Sequence, residues 1–393
     1  MPQQLSVALL IETSNAYARG LLRGIASYTH QNPRWSIYLP EQERGARPPA
    51  WLKNWRGDGL IARIENEAIA RAVRPLKLPV VDVSAARALP DIPYIETDDR
   101  AIAALAYSHL RERGLRTFAY CGDALFEWSR NRQHAFEQHA AADGSDCHVF
   151  ESRATSRKSP STDRRRLTNW LRRLPKPVGL FACYDKKALE VLDICRQKQI
   201  KVPFEIAVLG ADNDELLCDL CTPPLSSIIP AAEQTGREAA EMLDRMMRER
   251  RRKRKQEVAS RLIPPLGIAT RMSTDVVATE DAEIAAAVRF VRDHCCEGIK
   301  VEDILQAVPL SRRILERRFR EIVGRTPHQE IMRRRIEAVS ALLLNSDLTL
   351  GVISRQTGFQ SQEHMSVAFK KQVGVPPGQY RRDQTATRNK HPD

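Results

Sequence analysis

The N-terminus lacks the features of a membrane-targeting segment. It carries no basic stretch, its apolar run Leu5–Ile11 is too short for a signal peptide or a membrane span, and no cleavage site follows. We therefore expect a cytoplasmic protein with no membrane partner. Aromatic residues make up only 6% of the chain and hydrophobic residues 42%, a composition typical of a globular protein whose 393 residues form two or three domains.

Motifs for catalysis, metal binding and disulfide bonding are also missing. The eight cysteines are scattered, which fits a reducing compartment better than a disulfide framework. Cys218 and Cys221 form a Cys-x-x-Cys pair, but no second Cys or His pair stands at zinc-ligand spacing. The sequence contains no glycine-rich phosphate loop, no Gly-x-Ser-x-Gly elbow and no His-Glu-x-x-His helix. We therefore expect neither an enzyme nor a metal or other cofactor.

Positive charge is concentrated in two parts of the chain. The formal net charge is +13; residues 284–385 contribute +6 (17 Lys or Arg against 11 Asp or Glu) and residues 245–255 contribute +7 (8 against 1). The C-terminal segment is therefore a candidate polyanion binder, whereas the remaining chain is close to neutral. The basic run 248–255 suits a solvated loop, and a non-specific phosphate contact is the alternative.

The first 270 residues alternate between short apolar runs and helical patterns. This alternation predicts parallel α/β sheets, and a segment of this length holds more strands than one sheet takes comfortably. We therefore expect two similar lobes with a cleft between them and ligands beyond the carboxyl ends of the strands. The predicted strands are Ser6–Ile11, Gly59–Ile64, Pro79–Val83, Thr117–Gly122, Val178–Cys183 and Ala207–Gly210, and the predicted helices are Tyr17–His30, Arg100–Arg113, Trp128–Ala142, Lys186–Arg196 and Glu233–Met247.

The last hundred residues contain two helix-turn-helix patterns. In the first, Pro309 ends one helix and Ser311 can cap the next, whose inner face is predicted to hold Ile314, Leu315, Phe319 and Ile322. Arginine can pair with guanine and glutamate can accept from cytosine, so the outer face suits a major groove. A solvated basic face is the alternative. The predicted DNA-binding residues are Ser311, Arg312, Arg313, Glu316, Arg317 and Arg320.

The second helix-turn-helix pattern, Leu350–Phe369, has the same order of helix, turn and capped helix. Gly358 stands at the turn, and Ser361 can cap a helix whose exposed side chains form hydrogen bonds with base edges and phosphates. A half-buried packing role is the alternative for His364. The predicted DNA-binding residues are Ser361, Gln362, Glu363, His364, Ser366 and Lys370.

A helical connector joins the two patterns. Thr326 and Gln329 form a capping box, and Pro327 takes the first helical position. About 18 residues at 1.5 Å each give a length of about 27 Å, against about 34 Å between adjacent major grooves on one face of DNA. A rigid connector of this length can set both units in successive grooves, with residues 333–335 either on the DNA backbone or solvated.

Both units and their connector resemble the AraC family of transcription regulators. The resemblance covers roughly residues 284–385 and implies binding to double-stranded DNA. It is carried by Phe319-Arg320, Gly324–Gln329, Arg333–Ile336, Ala341–Leu344, Ile353–Phe359, Phe369–Lys371 and Gly374–Arg381.

The N-terminal part resembles the periplasmic-binding-protein fold of lactose-repressor-type sugar sensors. Its first strand begins almost at once, so we expect no N-terminal DNA-binding module. The xylose operon regulators join such a sensor to a C-terminal AraC-type domain, and this chain resembles them in Trp55–Ile61, Tyr94–Asp98, Leu209–Asn213, Pro223–Ser227 and Arg271–Asp275. We expect an α/β two-lobed sensor domain at 1–272, a linker at 273–283, an all-α DNA-binding domain with two helix-turn-helix units at 284–385, and a tail at 386–393.

Candidate ligand residues follow from the strand ends and the resemblance together. Arg132 occupies a position resembling the arginine that grips sugar hydroxyls in lactose-repressor-type sensors; an interlobe salt bridge is its alternative role. Asp185 and Asp212 follow two strands, where carboxylates can accept sugar hydroxyls, and capping of the next segment is the alternative. Trp128 and Tyr184 would offer an apolar face to the ring, with hinge packing as the alternative for Trp128. The set is completed by Thr13, Ser14 and Asn15 after the first strand, and by Asp98.

The two halves together predict a sugar-responsive transcription regulator. The resemblance makes an activator of D-xylose utilisation genes the first hypothesis, with a homodimer, an operator of repeated half-sites and RNA polymerase as partners. The alternatives are a repressor, a regulator that responds to another sugar, and a ligand-independent architectural DNA-binding protein. The loop Glu12–Asn15 and the basic run 248–255 depart from the xylose regulators, which leaves the sugar open.

Overall fold

The computed structural model describes residues 4–41, 47–152, 160–251, 260–275, 281–346 and 348–382. Part of the basic run 248–255, part of the linker 273–283 and the whole tail 386–393 lie outside these residues. The chain divides into two compact units, Met1–Val276 and Val277–Asp393. Ser273 and Thr274, which we expected at the start of the linker, lie in a 3-10 helix (Met272–Thr274) of the first unit and are buried.

The first lobe of the N-terminal unit is built on a parallel four-stranded sheet in the order β2-β1-β3-β4. The residues Leu10, Ala62 and Asp82 stand in register across β1, β3 and β4, so these strands end at one edge. The elements are β1 (Leu5–Leu10), α1 (Ala16–Gln31), β2 (Trp35–Tyr38), a 3-10 helix (Ala50–Asn54), β3 (Gly59–Ala62), α2 (Glu67–Val73) and β4 (Val80–Asp82), together with α8 (Ala232–Arg251) from later in the chain.

The second lobe contains a six-stranded sheet in the order β12-β10-β9-β8-β6-β7, parallel except for β12. Strands β6, β8 and β9 are almost wholly buried, which is why they read as apolar runs in the sequence, whereas the edge strands β7 and β12 are only partly buried. The elements are α3 (Asp99–Glu112), β6 (Phe118–Asp123), α4 (Glu127–Ala142), β7 (Cys147–Ser152), α5 (Pro160–Arg173), β8 (Val178–Ala182), α6 (Asp185–Gln197), β9 (Ile206–Ala211), α7 (Glu215–Leu220), β10 (Ser226–Ile229) and β12 (Gly267–Ala269).

The chain passes between the lobes beside a short two-stranded sheet, in which β5 (Ile95–Thr97) pairs with β11 (Arg261–Ile263). One crossing follows β5 and leads into α3. A second joins β10 to α8, which packs in the first lobe, and a third joins β11 to β12. The first lobe is therefore assembled from two separate stretches of sequence.

Glycines allow α1 and α8 to approach closely in the first-lobe core. A Cβ added to Gly24 would lie 1.9 Å from the Glu233 carbonyl oxygen, and one added to Gly236 would lie 2.0 Å from the Leu21 carbonyl oxygen. Side chains at these positions would force the helices apart, so the packing requires glycine at both.

The C-terminal unit is all helical among its described residues. One core forms where Phe319 and Ile331 meet α9 and α10, and a second forms around Ile353 and Phe369. Helix α12 contributes to both cores and so connects the two helix-turn-helix units. The helices are α9 (Ala282–His294), α10 (Val301–Ala307), α11 (Arg312–Val323), α12 (Pro327–Asn345), α13 (Leu350–Gln356) and α14 (Gln362–Val373), with a 3-10 turn at Cys295–Glu297.

The predicted fold class, a two-lobed α/β sensor followed by a helical domain with two helix-turn-helix units, is confirmed. One detail of the predicted helix packing is wrong. Ile314 is 39% exposed rather than on the inner face of α11, because Leu315 and Phe319, four residues apart, define the buried stripe. No helix among the described residues is both long and apolar enough to cross a membrane.

Candidate ligand site and DNA-binding surface

The loop after β1 supplies the first three predicted ligand residues. Asn15 is the N-cap of α1: its Oδ1 accepts from the Ala18 amide (2.8 Å), and its Nδ2 donates to Glu12 Oε1 (2.9 Å). Its amide group is therefore used within the loop. Thr13 is half-buried and Ser14 is exposed on the same loop.

Arg132 lies at the centre of a buried polar group in the second lobe. Its Nε donates to Asp99 Oδ1 (2.8 Å) and its Nη1 donates to the Cys183 carbonyl oxygen (2.7 Å). Both side chains of the ion pair are more than 90% buried. Asp99 is the first residue of α3 and Arg132 lies within α4 of the same lobe, so this salt bridge lies within that lobe rather than between lobes. Burial raises the pKa of Asp99, and the charge of Arg132 opposes that rise.

Two predicted aromatic residues adjoin this arginine. The Trp128 ring stacks on Phe126 (centroids 5.2 Å apart) and meets Tyr184 edge to face (5.6 Å). The Arg132 guanidinium carbon lies 5.0 Å from the centre of the Trp128 ring. The structure thus brings Trp128, Arg132 and Tyr184 together.

Asp185 holds the loop that carries Asp212. Asp185 is 2% exposed; its Oδ1 accepts from Ser227 Oγ (2.5 Å) and its Oδ2 accepts from the Asp214 amide (2.7 Å). Burial, assisted by the charge of Asp212, raises its pKa well above the usual range. These bonds support the alternative role of Asp185, an anchor for the following segment.

Asp212 and its neighbour adopt an uncommon backbone conformation directly after β9. Asp212 has φ +104° and Asn213 has φ +45°, and positive φ values at two successive non-glycine residues are costly. Asp212 is partly exposed, and its charge acts on Arg132. Asp98, by contrast, is the N-cap of α3 and accepts from the amides of Arg100 (2.9 Å) and Ala101 (3.0 Å).

A second group of buried charges, which the sequence did not predict, lies at the strand ends of the first lobe. Arg63, which follows β3, donates to Glu12 Oε1 (2.5 Å) and to Glu65 Oε1 (2.6 Å). Its guanidinium carbon lies 5.3 Å from the centre of the Tyr17 ring, and Tyr17 donates to Glu96 on β5. Burial raises the pKa of Glu96 to about 8.

Asp82, the last residue of β4, belongs to the same group. It is 1% exposed, and its Oδ1 accepts from the Ile64 amide (3.2 Å). Burial raises its pKa to about 7, and the Arg63 charge opposes that rise. Ionisable groups therefore gather at the strand-end edge of both lobes, which is where parallel sheets bind ligands.

Helix α11 presents its predicted DNA-binding residues on one open face. A concave surface of about 640 Å³ is lined by Arg312, Arg313, Glu316, Arg317, Arg320 and Glu321. Arg312 pairs with Glu302 (2.6 Å) and Glu316 (3.1 Å) in exposed contacts, which contribute little and can exchange for phosphate. Ser311 stands at the N-cap position as predicted, but its side chain makes no capping hydrogen bond.

Helix α14 of the second helix-turn-helix unit also exposes most of its predicted DNA-binding residues. Ser361 Oγ accepts from the His364 amide (3.2 Å), which confirms the predicted cap, and Gly358 has φ +72° at the turn. Of the predicted DNA-binding residues here, Gln362, Glu363, His364 and Lys370 are exposed, while Ser361 and Ser366 are half-buried. His364 is exposed, which favours the DNA-facing role over packing.

The two helix-turn-helix units share a groove and a connector. A groove of about 750 Å³ is lined by residues from both units, including Arg312, Glu316, Arg355 and His364. The capping box of Thr326 with Gln329 forms as predicted. The three connector arginines are engaged within the protein: Arg333 and Arg334 pair with the buried Glu330, and Arg335 donates to the Cys295 and Ile299 carbonyl oxygens (2.7 Å each).

Known families match three stretches of the chain. The matches are a XylR N-terminal domain at residues 6–100, a periplasmic binding protein-like domain at 107–274 and a helix-turn-helix domain at 304–383. The xylose operon regulatory protein of Escherichia coli is 32% identical over 95% of this chain and 96% of its own length. The chain belongs to the family of xylose operon regulatory proteins. The Haemophilus influenzae member is 28% identical over 96% of this chain and 98% of its own length.

The family's architecture is also seen in a solved structure. That of a xylose-binding transcription activator is 31% identical, with a TM-score of 0.71 over 97% of this chain and 98% of its own. This xylose operon regulator family member is therefore a transcription regulator with a helix-turn-helix DNA-binding domain, and not an enzyme.

Proposed function

We propose that this family member activates transcription in response to D-xylose, which it binds in the cleft of its N-terminal unit. The buried Asp99–Arg132 pair carries the proposal, because it stands at the strand ends with Trp128 and Tyr184 beside it. Charged groups and an aromatic face are what a sugar requires: hydrogen bonds for the hydroxyls and an apolar surface for the ring. The xylose regulators to which the chain is similar support D-xylose as the first candidate.

In this proposal, Arg132 and Asp212 contact the sugar and Asp185 positions Asp212. The strained backbone at Asp212 aims a carboxylate out of the end of β9, and strain of this kind collects at ligand sites. Thr13 and Ser14 offer hydroxyls from the opposite lobe, whereas Asn15 and Asp98 mainly cap their helices. The sugar would stabilise one arrangement of the two lobes and so shift the population towards it.

Helix α3 offers a route from the cleft to the linker. Its first residue, Asp99, binds Arg132, and near its other end His109 Nε2 lies 2.8 Å from Thr274 Oγ1. Arg113, the C-cap of α3, donates to the Thr274 carbonyl oxygen (2.8 Å). Fourteen residues of α-helix span about 21 Å, so a movement of α3 at the cleft reaches the segment that leads to the DNA-binding unit.

We further propose that a cytoplasmic homodimer binds an operator of repeated half-sites through α11 and α14 and recruits RNA polymerase. The connector α12 has 19 residues and is about 28 Å long. Adjacent major grooves on one DNA face are about 34 Å apart, a spacing that helices at the two ends of such a rod can match. The open arginine face of α11 supports DNA contact in one groove, and the exposed polar face of α14 supports it in the next.

Calorimetry with the full chain tests the sensor. D-xylose, L-arabinose, D-ribose and D-glucose are titrated into the wild type and into Asp212→Ala, with Asp219→Ala as a control at an exposed carboxylate of the same lobe. We expect D-xylose to bind the wild type and the control and to bind Asp212→Ala at least tenfold more weakly. Binding of none of these sugars would contradict the proposal.

Selection of DNA sites from a random library, with and without D-xylose, tests the response. We expect selected sites to contain two repeated half-sites and D-xylose to change the affinity for them. D-xylose binding that leaves DNA affinity unchanged would contradict a sugar-responsive regulator and favour the architectural alternative.

A further inference from the structure

Six buried side-chain polar atoms in the first lobe have no hydrogen-bond partner among the described residues: Trp51 Nε1, Trp55 Nε1, Arg63 Nε, Asp82 Oδ2, Ser84 Oγ and Glu96 Oε2. Three of these, on Arg63, Asp82 and Glu96, belong to ionisable side chains of one group. Their side chains belong to residues that are 5%, 1% and 6% exposed. An unsatisfied buried polar atom costs on the order of 1–3 kcal/mol, so three in one group indicate a binding partner.

These atoms belong to residues at one edge of the first lobe. Asp82 is in register with Ala62, the residue before Arg63, so the two side chains leave adjacent strands at the same end. A single bridge pairs Asp82 with Tyr94, which brings the start of β5, and hence Glu96, beside β4. Ligands reach parallel sheets from this edge.

This edge adjoins the proposed sugar site of the second lobe. Glu96 is three residues before Asp99, and the chain crosses from one lobe to the other between them. The charge of Asp99 acts on Glu96, so the first-lobe group and the Asp99–Arg132 pair are electrostatic neighbours. A small molecule that bridges the lobes would meet both.

We propose that Arg63, Asp82 and Glu96 form the first lobe's share of the ligand site and select an uncharged polyhydroxy compound over an anionic sugar. The inference rests on the function proposed above and names the residues that give it specificity. A hydroxyl group can donate to a carboxylate oxygen and accept from an arginine N–H, so neighbouring hydroxyls satisfy all three atoms.

The charges already present around Arg63 explain why this group would favour an uncharged ligand over an anionic one. Arg63 already pairs with the carboxylates of Glu12 and Glu65. Its charge is therefore compensated before a ligand arrives, and Asp82 and Glu96 add two further carboxyl groups. A carboxylate or phosphate on the ligand would meet an arginine whose charge two carboxylates already balance, whereas hydroxyls carry no such cost.

The experiment uses isosteric variants of the full chain. Asp82→Asn and Glu96→Gln keep the size of each side chain and change its hydrogen-bonding character. The matched control is Asp244→Asn, a buried carboxylate in the same lobe that accepts from Tyr28 (3.0 Å) and pairs with Arg248 away from the strand ends. Each protein is titrated calorimetrically with D-xylose and with D-xylonate, the corresponding sugar acid.

We expect the wild type and the control to bind D-xylose equally, and Asp82→Asn and Glu96→Gln to bind it about tenfold more weakly. None of the four proteins should bind D-xylonate. Equal D-xylose affinity in all four proteins would overturn the inference, because the first-lobe group would then bind only water. The proposed function would still stand. D-xylonate binding as tight as D-xylose binding would overturn the selectivity.

A second measurement does not depend on how the variants fold. In a crystal structure of the wild type with D-xylose, sugar oxygens should lie within about 3.2 Å of Asp82 Oδ2 or Glu96 Oε2. A sugar bound only by second-lobe residues would overturn the inference alone. Failure of the wild type to bind D-xylose, L-arabinose, D-ribose or D-glucose would overturn the proposed function and this inference together.

Discussion

His109 Nε2 lies 2.8 Å from Thr274 Oγ1, and both side chains are buried. Burial, assisted by the charge of Arg113, lowers the pKa of His109 to about 3, so the ring is neutral at physiological pH. Thr274 Oγ1 also donates to Ser226 Oγ on β10 (2.7 Å). This histidine therefore ties one end of α3 to the segment that precedes the linker.

His109→Ala should weaken communication between the sensor and DNA. We expect D-xylose to bind the variant within about threefold of wild type, because His109 lies at the end of α3 away from Asp99, while the sugar-dependent change in DNA affinity shrinks. Calorimetry and DNA-binding titrations with and without sugar measure the two effects. His134→Ala, on the exposed face of α4, is the control, and an unchanged sugar response in His109→Ala would contradict coupling through α3.

Arg132→Lys should abolish high-affinity sugar binding and destabilise the sensor. Lysine keeps the charge but cannot make both bonds that Arg132 makes, to Asp99 and to the Cys183 carbonyl oxygen. Breaking a buried pair costs about 3–5 kcal/mol, so we expect a loss near the lower end of that range in urea unfolding. Arg130→Lys, at a partly exposed position in the same helix, should behave as wild type. Wild-type stability in Arg132→Lys would show that the buried pair is not needed.

Arg313→Ala should weaken DNA binding in a salt-dependent manner if its side chain meets phosphate. The residue is exposed on the concave face of α11. Loss of one phosphate contact reduces the slope of log K against log salt by about 0.9, whereas loss of a base contact relaxes the sequence preference at one position. Binding titrations between about 50 and 200 mM salt distinguish these outcomes. Arg172→Ala, on α5 of the sensor, is the control, and an effect no larger than the control's would remove Arg313 from the DNA-binding surface.

Gly358→Ala should impair DNA binding and leave sugar binding intact. Gly358 has φ +72°, and an added Cβ would lie 2.7 Å from the Gly298 amide nitrogen and 2.8 Å from the Cys296 carbonyl oxygen. The second helix-turn-helix unit would have to shift against the first. Gly374→Ala is an instructive control, since it has φ +90° but nothing within 4 Å of an added Cβ. Equal losses in the two variants would mean that backbone strain, rather than the close approach, sets the effect.

Asp82 and Glu96 should make the stability of the sensor depend on pH. Burial raises their pKa values to about 7 and about 8, so each group stabilises the fold at low pH and loses that contribution as pH rises through the folded-state value. Relative to Asp82→Asn, the free energy of unfolding of the wild type should fall between about pH 4 and 7, by no more than about 1.4 kcal/mol per pH unit. Relative to Glu96→Gln, it should fall up to about pH 8. Urea unfolding across this range measures it, and a difference that does not vary with pH would contradict the raised pKa values.

The sequence predicted the sensor architecture well where strands are wholly buried. The apolar runs that became β1, β3, β6, β8 and β9 were found within one or two residues, because strands covered on both faces must be apolar along their length. It missed β5, the short strand Ile95–Thr97 that carries Glu96. A three-residue strand with a central glutamate has neither the length nor the pattern that predicts a strand.

The residues of the candidate ligand site also fall into those that the sequence predicted and those that it did not. Arg132 could be predicted from the resemblance and Asp212 from its place after a strand, whereas the first-lobe group could not. Arg63 and Glu12 are 51 residues apart, and Tyr17 and Glu96 are 79 apart. A charge buried by such distant partners reads as a surface charge in a single sequence, because only the fold brings the partners together.

The interleaved path of the chain between the lobes sets an order for folding during synthesis. Helix α1 is made early, but its partner α8 follows some two hundred residues later; the hydrogen bond from Tyr28 to Asp244 joins residues 216 apart. Strands β6 to β10 leave the ribosome before α8 does, so most of the second lobe can fold while the first lobe still has an uncovered apolar face. A nascent chain arrested before residue 232 would therefore contain the whole first-lobe sheet and yet remain a substrate for chaperones. Synthesis of α8 is the step that covers the apolar face of that sheet.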